Sequence, residues 1–388
     1  MGLPKRSRTL AAAGAVIALT CLVAAACGTS NAATPSSAAT PSNASNASSQ
    51  AGPNMSAVMQ AAQQLAAPFQ KRPATLEVTA PIAKPIPVGQ RLDFLTCSSP
   101  GCAVIASRFV TAATILRWHV KVLTVAPSAD AIVAAYGTAI RDKPDGVAVA
   151  AVSAEVARPE LATLQSMHIP VVTVQDPDVK FGPIIASLYT HDSSYRLGKV
   201  TADELTALGC GKGTTIYVNL SGYLVLQFRL TAYQAEMKRL DPSMKYKVLN
   251  FAATDTNFVS GIVGAVRSDP SVDCVYASSD PIATGLPQAL KAAGVSPLPK
   301  IITDYAGDTT LSYIHTGLAT ATDIGDSASY GFIYIDTFAR YRAGQSLAPD
   351  ENALQTIWFV DSSNAPTTVP YSDIANLVAD YSKLWGKS

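Results

Sequence analysis

DGVAVAAVSAEVARPELATLQSMHIPVVTV, running from Asp145 to Val174, decides the fold. Asp145-Gly146 leads into residues 147–152, an unbroken apolar run of the kind found in a strand covered on both faces. Residues 155–167 read as a helix, and residues 169–174 as a second β-branched strand. Two short strands separated by one helix form a right-handed βαβ unit. Outward from this unit the rhythm continues. Strands are expected at residues 92–96, 120–125 and 184–188. Helices are expected at 103–118, where Val104, Phe109, Ala112, Ala113 and Leu116 recur at helical spacing, and at 129–140. The pattern then starts again, with strands at 214–220, 246–251, 272–277, 301–303 and 319–324. Its helices fall at 194–208, 227–240, 258–266, 282–293 (closed by Gly294, a natural C-cap residue) and near 309–316. The fold class is therefore α/β, with two doubly wound parallel-sheet lobes in succession. Ligands of such sheets bind beyond the carboxyl ends of the strands, so two facing lobes make a cleft there.

Composition supports a folded, exported protein. Of 388 residues, 48% are hydrophobic and 15% charged, too apolar and too weakly charged for disorder throughout. Lys5, Arg6 and Arg8 form a basic start, and an uncharged apolar run follows over residues 9–26, the layout of a secretory signal. Removing those three from the 29 basic residues leaves 26 against 28 acidic ones, which gives no electrostatic footprint for nucleic acid. The run ends Leu22-Val23-Ala24-Ala25-Ala26-Cys27-Gly28, similar to a bacterial lipobox, in which Cys27 is acylated and becomes the new N-terminus. Ala24-Ala25-Ala26 equally suits ordinary signal peptidase, and the run is borderline in length for a membrane span. Lipidation of Cys27 is the leading expectation, since several acyl chains together anchor a protein stably. Residues 1–26 are read as signal peptide and 27–75 as a lipidated flexible linker, rich in Ser, Ala, Asn, Thr and Pro, with a short helix expected near residues 55–69.

Cys97, Cys102, Cys210 and Cys274 remain after export, an even number that suggests two disulfides. None of them has C-x2-C spacing, which argues against zinc. In the strand order 2-1-3-4-5, the first and third strands of a lobe are neighbours. Cys210 precedes the second lobe's first strand and Cys274 begins its third, so the expected pairs are Cys97–Cys102 and Cys210–Cys274. Four free thiols are the alternative.

Several stretches resemble the type I periplasmic-binding-protein family, specifically the sugar-type solute-binding lipoproteins of ABC importers. They are RLDFLTC from Arg91, DGVAV from Asp145, IPVV from Ile169, the run Asp192 to Gly198 into a long helix, VYASSDPIATG from Val275, ITD at Ile302 and IHTG at Ile314. The resemblance spans about residues 91–344 and implies a three-segment hinge, with crossings near Thr190, Gly325 and Leu354. A helix at 328–341 would return to the first lobe and a strand at 356–360 to the second. The lobes then comprise residues 76–190 plus 326–353, and 191–325 plus 354–388.

The resemblance also implies the ligand-contacting positions. They are Ser98, Ser99 and Pro100 after the first strand, and Gln175 and Asp176 after the fourth. In the second lobe they are Tyr223, Gln227, Ser279, Asp304, Tyr305 and, from the hinge, Asp323. Carboxylates and amides would bracket solute hydroxyls while aromatic faces cover apolar ring surfaces. Asp176 precedes Pro177 and also reads as a turn residue; Asp280 reads as the cap of its helix. Sugar binders of the family usually carry an Asn and paired aromatics after the first strand and an Asp-Arg pair after the fourth. This chain has neither, and Arg229 lies beyond the usual sugar-facing position, where Gln227 stands. The pocket is expected to be less cationic and to suit a larger or more apolar solute.

The expected function is capture of a small polar or amphipathic solute by hinge closure, for delivery to an ABC permease from the outer face of the cell membrane. A solute-sensing lipoprotein acting on a sensor kinase is the alternative. No cofactor, metal or nucleic-acid partner is expected, and the protein should be a monomer. Enzyme signatures are missing: there is no G-x-S-x-G or H-E-x-x-H, and the four His are scattered. GCGKGT at Gly209 has the wrong glycine spacing for a phosphate loop and precedes a strand, so it reads as a turn.

Overall fold

A computed structural model describes residues 54–174, 180–252, 254–325, 327–367 and 374–387. Residues 1–53, with the expected signal peptide and Cys27, lie outside the described residues, as do Gln175 and Asp176. The described chain opens with helix α1 (Met55–Ala66), capped by the Asn54 side chain, and a 3-10 turn at Ala67–Gln70. Then come β1 (Arg91–Cys97), α2 (Pro100–Ile115), β2 (His119–Val125), α3 (Ala129–Asp142), β3 (Gly146–Ala150), α4 (Arg158–Ser166), β4 (Val171–Val174) and β5 (Ile184–Leu188). These strands form one parallel sheet in the order β2-β1-β3-β4-β5. All five residues of β3 are buried, which is why that stretch carries no polar alternation.

The second series is α5 (His191–Ala207), β6 (Thr214–Leu220), α6 (Leu224–Leu240), β7 (Lys245–Phe251), α7 (Phe258–Ser268) and β8 (Val272–Ala277). It continues with α8 (Asp280–Ala283), α9 (Leu286–Ala292), β9 (Lys300–Asp304), α10 (Asp308–His315) and β10 (Ala321–Gly325). The helix expected at 282–293 is divided, because Gly285 sits at φ +79° and interrupts the turn. Helices α11 (Ser327–Arg342) and α12 (Ala348–Glu351), strand β11 (Ile357–Asp361) and helix α13 (Leu377–Leu384) complete the chain. The second sheet runs β11-β10-β9-β8-β6-β7, parallel except for β11, which joins its edge antiparallel to β10.

Each lobe is a sheet between two helical layers. In the first, Phe94, Phe109 and Tyr334 interlock, with ring centroids 4.6 to 5.7 Å apart, beneath α2 and α11. Leu95, Tyr136, Val149 and Leu161 fill the opposite face. In the second, Tyr217, Tyr233 and Tyr276 pack under α5 and α6, while Ile216, Ile262, Val275 and Leu290 fill the other side. The helix that enters each lobe crosses the helix following that lobe's first strand at a glycine. A Cβ on Gly331 would stand 2.4 Å from the Phe109 nitrogen, and one on Gly198 would stand 2.1 Å from the Arg229 carbonyl oxygen. Only glycine permits backbones to approach so closely.

Among the described residues, the chain leaves the first sheet after β5, α11 after β10 packs in the first lobe's core, and β11 joins the second sheet; the two ends of the described chain also change lobe. Residues 55–70 are not linker: α1 lies along α5, and Val58 is buried with Leu205 and Met237 in the second lobe. The chain then passes to the first lobe, where Leu76, Val78 and Ile82 join the core. Residues 374–387, assigned by sequence to the second lobe, also lie in the first. There Tyr381 stacks on Phe332 at 5.3 Å, Trp385 Nε1 donates to Asp336 Oδ1 at 2.6 Å, and Ile82 N donates to the Leu384 carbonyl at 2.9 Å. The apolar stripe of α13 needs cover, and α11 offers both aromatic surface and a buried acceptor for the indole.

Both expected disulfides are formed. Cys97–Cys102 and Cys210–Cys274 each have a Cα separation of 5.6 Å, within the preferred range. Cys274 lies beside Thr215 in the β6–β8 register, so the strand order brings its partner Cys210 within reach.

Candidate functional site

The candidate residues sit where strands end and helices begin. After β1, Ser98 is exposed and half-buried Ser99 caps α2 by accepting from Cys102 N at 3.3 Å. Pro100 is the first residue of that helix. The Cys97–Cys102 bridge closes a ring around this turn. In the second lobe, Tyr223 precedes α6 and is partly buried, which raises its phenol pKa. Gln227, one turn further, has a buried Nε2 with no hydrogen-bond partner. Ser279 is extended at the end of the β8 loop and does not cap α8. Asp280 does not cap that helix either. Its carboxylate accepts from the Thr310 hydroxyl and so ties α8 to α10.

The structure brings Asp304, Tyr305 and Asp323 together. Asp304 ends β9, and Asp323 faces it across the β9–β10 register. Both are buried. Tyr305 follows Asp304 at φ +55°, a left-handed conformation that is uncommon for a tyrosine and turns the chain sharply off the strand. Its backbone N–H donates to Asp304 Oδ1 at 2.9 Å.

Beneath them lies a residue that sequence reading set aside. Arg229 is 1% exposed; its guanidinium donates to Asp304 Oδ2 and to the Tyr305 hydroxyl, and sits 4.8 Å from the Tyr305 ring centroid. Its Nε makes no hydrogen bond. Burial pushes the Asp304 carboxyl up, to about 6, against the pull of Arg229 and of hydrogen bonds from Tyr305 N–H and Tyr276. The guanidinium is held well above its ordinary value: burial opposes its charge, but Tyr305 and Asp304 outweigh that. It also feels Tyr330 of α11, so this second-lobe cluster adjoins the first lobe at the hinge. The signal was in the sequence: Val225, Leu226, Arg229, Ala232, Tyr233, Glu236 and Met237 make the buried face of α6. A cation on such a face requires a partner.

Other candidates stay apart. A surface hollow of about 310 Å³, lined by Arg91, Asp93, His119, Lys121 and Asp142, lies at the amino ends of β1 and β2, at the opposite end of the sheet from Ser98 and Ser99. Among the described residues no cluster of His, Cys, Asp or Glu could hold a metal ion, and no helix is long and apolar enough to cross a membrane. The turn at Gly209 is pinned by the Cys210–Cys274 bridge and runs into β6, as its sequence suggested.

Two α/β lobes joined by several crossings, with polar groups gathered at strand ends, define a bilobed solute-binding protein. The Periplasmic binding protein domain model matches residues 102–346, and the chain belongs to that family of extracytoplasmic binding proteins, which hold solutes rather than transform them. Comparison with curated proteins finds no match. Among solved structures, a glucose-galactose binding protein from Geobacillus stearothermophilus is 15% identical, with a TM-score of 0.63 over 72% of this chain and 100% of its own. A carbohydrate transporter from Acidothermus cellulolyticus 11B, in complex with myo-inositol, is 21% identical, with a TM-score of 0.60 over 77% of this chain and 99% of its own. The fructose binding periplasmic domain of a hybrid two component system is 20% identical, with a TM-score of 0.63 over 71% and 92%. At these identities the likeness establishes the shared fold.

Proposed function

We propose that this protein captures a small sugar-like solute outside the cytoplasm by hinge closure and delivers it to an ABC permease in the membrane. The carrying observation is the polar set where β9 ends, Asp304 and Tyr305 on buried Arg229 with Asp323 paired beside Asp304 in β10, next to a multi-segment hinge. Polar groups of both lobes reach one solute only when the lobes approach, so the solute favours the closed state through its differential contacts. Ser98, Ser99, Pro100, Gln175 and Asp176 would contribute from the first lobe. Tyr223, Gln227, Ser279, Asp304, Tyr305 and Asp323 would contribute from the second. Because Asp304 and Tyr305 already engage Arg229, its guanidinium is not available to pair with an anion, which favours a neutral polyhydroxylated or amphipathic solute.

A thermal-shift screen of sugars, polyols, nucleosides, aromatic acids and steroids tests this reading. A ligand at 100 times its Kd adds about 2.7 kcal/mol of stability. The true ligand should also compact the protein in small-angle scattering, and an unchanged radius at saturation counts against closure. A membrane sensor is the second reading, favoured by the shared fold of the fructose binding domain of a two component system. Loss of solute uptake on deleting this protein supports import, whereas intact uptake with lost transcriptional response supports sensing. The import reading includes a lipid on Cys27. Cys27→Ser should release the protein from the membrane fraction into the medium.

A further inference from the structure

Residues 54–82 grip both lobes. On the second, α1 lies along α5, Phe69 packs with Leu197, Val200 and Ile357, and the Gln70 carbonyl accepts from Asn364 Nδ2 at 2.9 Å. Arg196 lies over the Phe69 ring, and Arg72 over Trp358, at 5.4 and 5.5 Å. On the first, Leu76, Val78 and Ile82 enter the core, and Glu77 accepts from the Tyr189 hydroxyl. Tyr189 itself stands at the first crossing, at φ +49°, against Tyr330 from the start of α11. Arg196 also donates to the Gln355 carbonyl of the third crossing at 2.9 Å. The segment thus touches the connections that a moving hinge must bend.

We infer that residues 54–82 form a strap across the hinge that limits how far the lobes open and thereby biases the solute-free protein towards closure. Between Arg72, held on the second lobe, and Leu76, buried in the first, there are only four Cα steps. A chain that short spans at most about 14 Å. Opening that carries these anchors further apart must lift Arg72 off Trp358 or tear Leu76 from its pocket. This inference rests on hinge motion and needs no knowledge of the solute.

The test uses the full chain, free of solute, with genetically encoded spin-label residues at exposed Ala134 in α3 and Ser260 in α7. Interlobe distance distributions are compared for the natural chain, for Phe69→Ala with Arg72→Ala, and for a Gly-Ser insertion after Pro73. The insertion adds slack while keeping every contact, so it remains informative if the double substitution fails to fold. A matching insertion after Leu354 loosens an ordinary crossing. The strap predicts a longer mean distance and a broader distribution with slack at Pro73, at an unchanged melting temperature. If slack at Leu354 broadens the distribution and slack at Pro73 does not, the strap is overturned and the hinge survives. If neither insertion changes it, the lobes do not move and the hinge reading falls as well.

Discussion

The two lobes solve the same packing problem with opposite chemistry. In each, a helix arriving from the hinge presses a glycine onto the first helix of the lobe. Beneath Gly331 stands Phe109, stacked on Phe94 and edged by Tyr334. Beneath Gly198 stands Arg229, held by Asp304 and Tyr305. An aromatic cluster needs only volume and shape, so it tolerates small changes. A buried ion pair needs every partner in place, because an orphaned charge in the interior is costly. The first lobe's contact is therefore support. The second lobe's contact couples the packing to the residues proposed to meet the solute.

The comparison breaks most easily at Asp304. Asp304→Ala leaves Arg229 buried without its counter-charge and should cost about 3–5 kcal/mol, read from urea unfolding. Combining Arg229→Met with Asp304→Leu, which makes the second lobe resemble the first, should restore much of that stability. If the double variant is as unstable as the single, the pair is not what makes this lobe demanding.

The disulfides sharpen the contrast in another way. Cys210–Cys274 joins residues 64 apart, and Cys97–Cys102 residues 5 apart. Loop-closure entropy gives about 4 kcal/mol for the first and about 2 kcal/mol for the second. Replacing Cys210 and Cys274 by Ala should lower the melting temperature about twice as far as replacing Cys97 and Cys102.

Acid should favour folding of the second lobe, as the raised carboxyls of Asp93 and Asp350 should favour folding of the first. Glu204 is buried, neither of its oxygens has a hydrogen-bond partner, and burial with the nearby Asp323, Asp203 and Asp361 raises its pKa from 4.5 to about 9. Since its folded pKa exceeds the unfolded value, folding takes up a proton between these limits, and stability falls as pH rises through that window. Asp203 acts in the same sense up to about 7. Glu204→Gln should flatten the dependence and stabilise by several kcal/mol at pH 8, with little change at pH 4. A variant whose stability tracks the natural chain at both pH values would remove Glu204 from the account. The smallest effect belongs to the first lobe: Phe109→Leu should cost about 1 kcal/mol and leave solute binding unchanged.

Much of this molecule was legible in its residues. The apolar run at 147–150 announced a strand buried on both faces, and the doubled alternation announced two lobes. Strand adjacency alone yielded the Cys210–Cys274 pair. The place of Asp304 at the end of β9 also followed, because a parallel strand's C-terminal residue must lie at the sheet's ligand-facing end, whereas Asp323 stands in the middle of β10. Other features were not legible. Met55–Ala66 reads as an amphipathic helix, but its stripe of Val58, Ala62 and Ala66 does not say what it will cover. The sequence of α13 likewise fits either lobe.

By itself, then, the sequence determined whatever rests on local periodicity: strand, helix, lobe and the topology that follows from their alternation. Only the tertiary structure decided the partnerships. Arg229 finds Asp304 across 75 residues, Trp385 finds Asp336 across 49, and Ile82 meets Leu384 from the other end of the chain. Periodicity fixes which face of an element is buried. Which distant group satisfies a buried charge or indole depends on how the completed layers stack, and that information exists only once the chain has closed on itself.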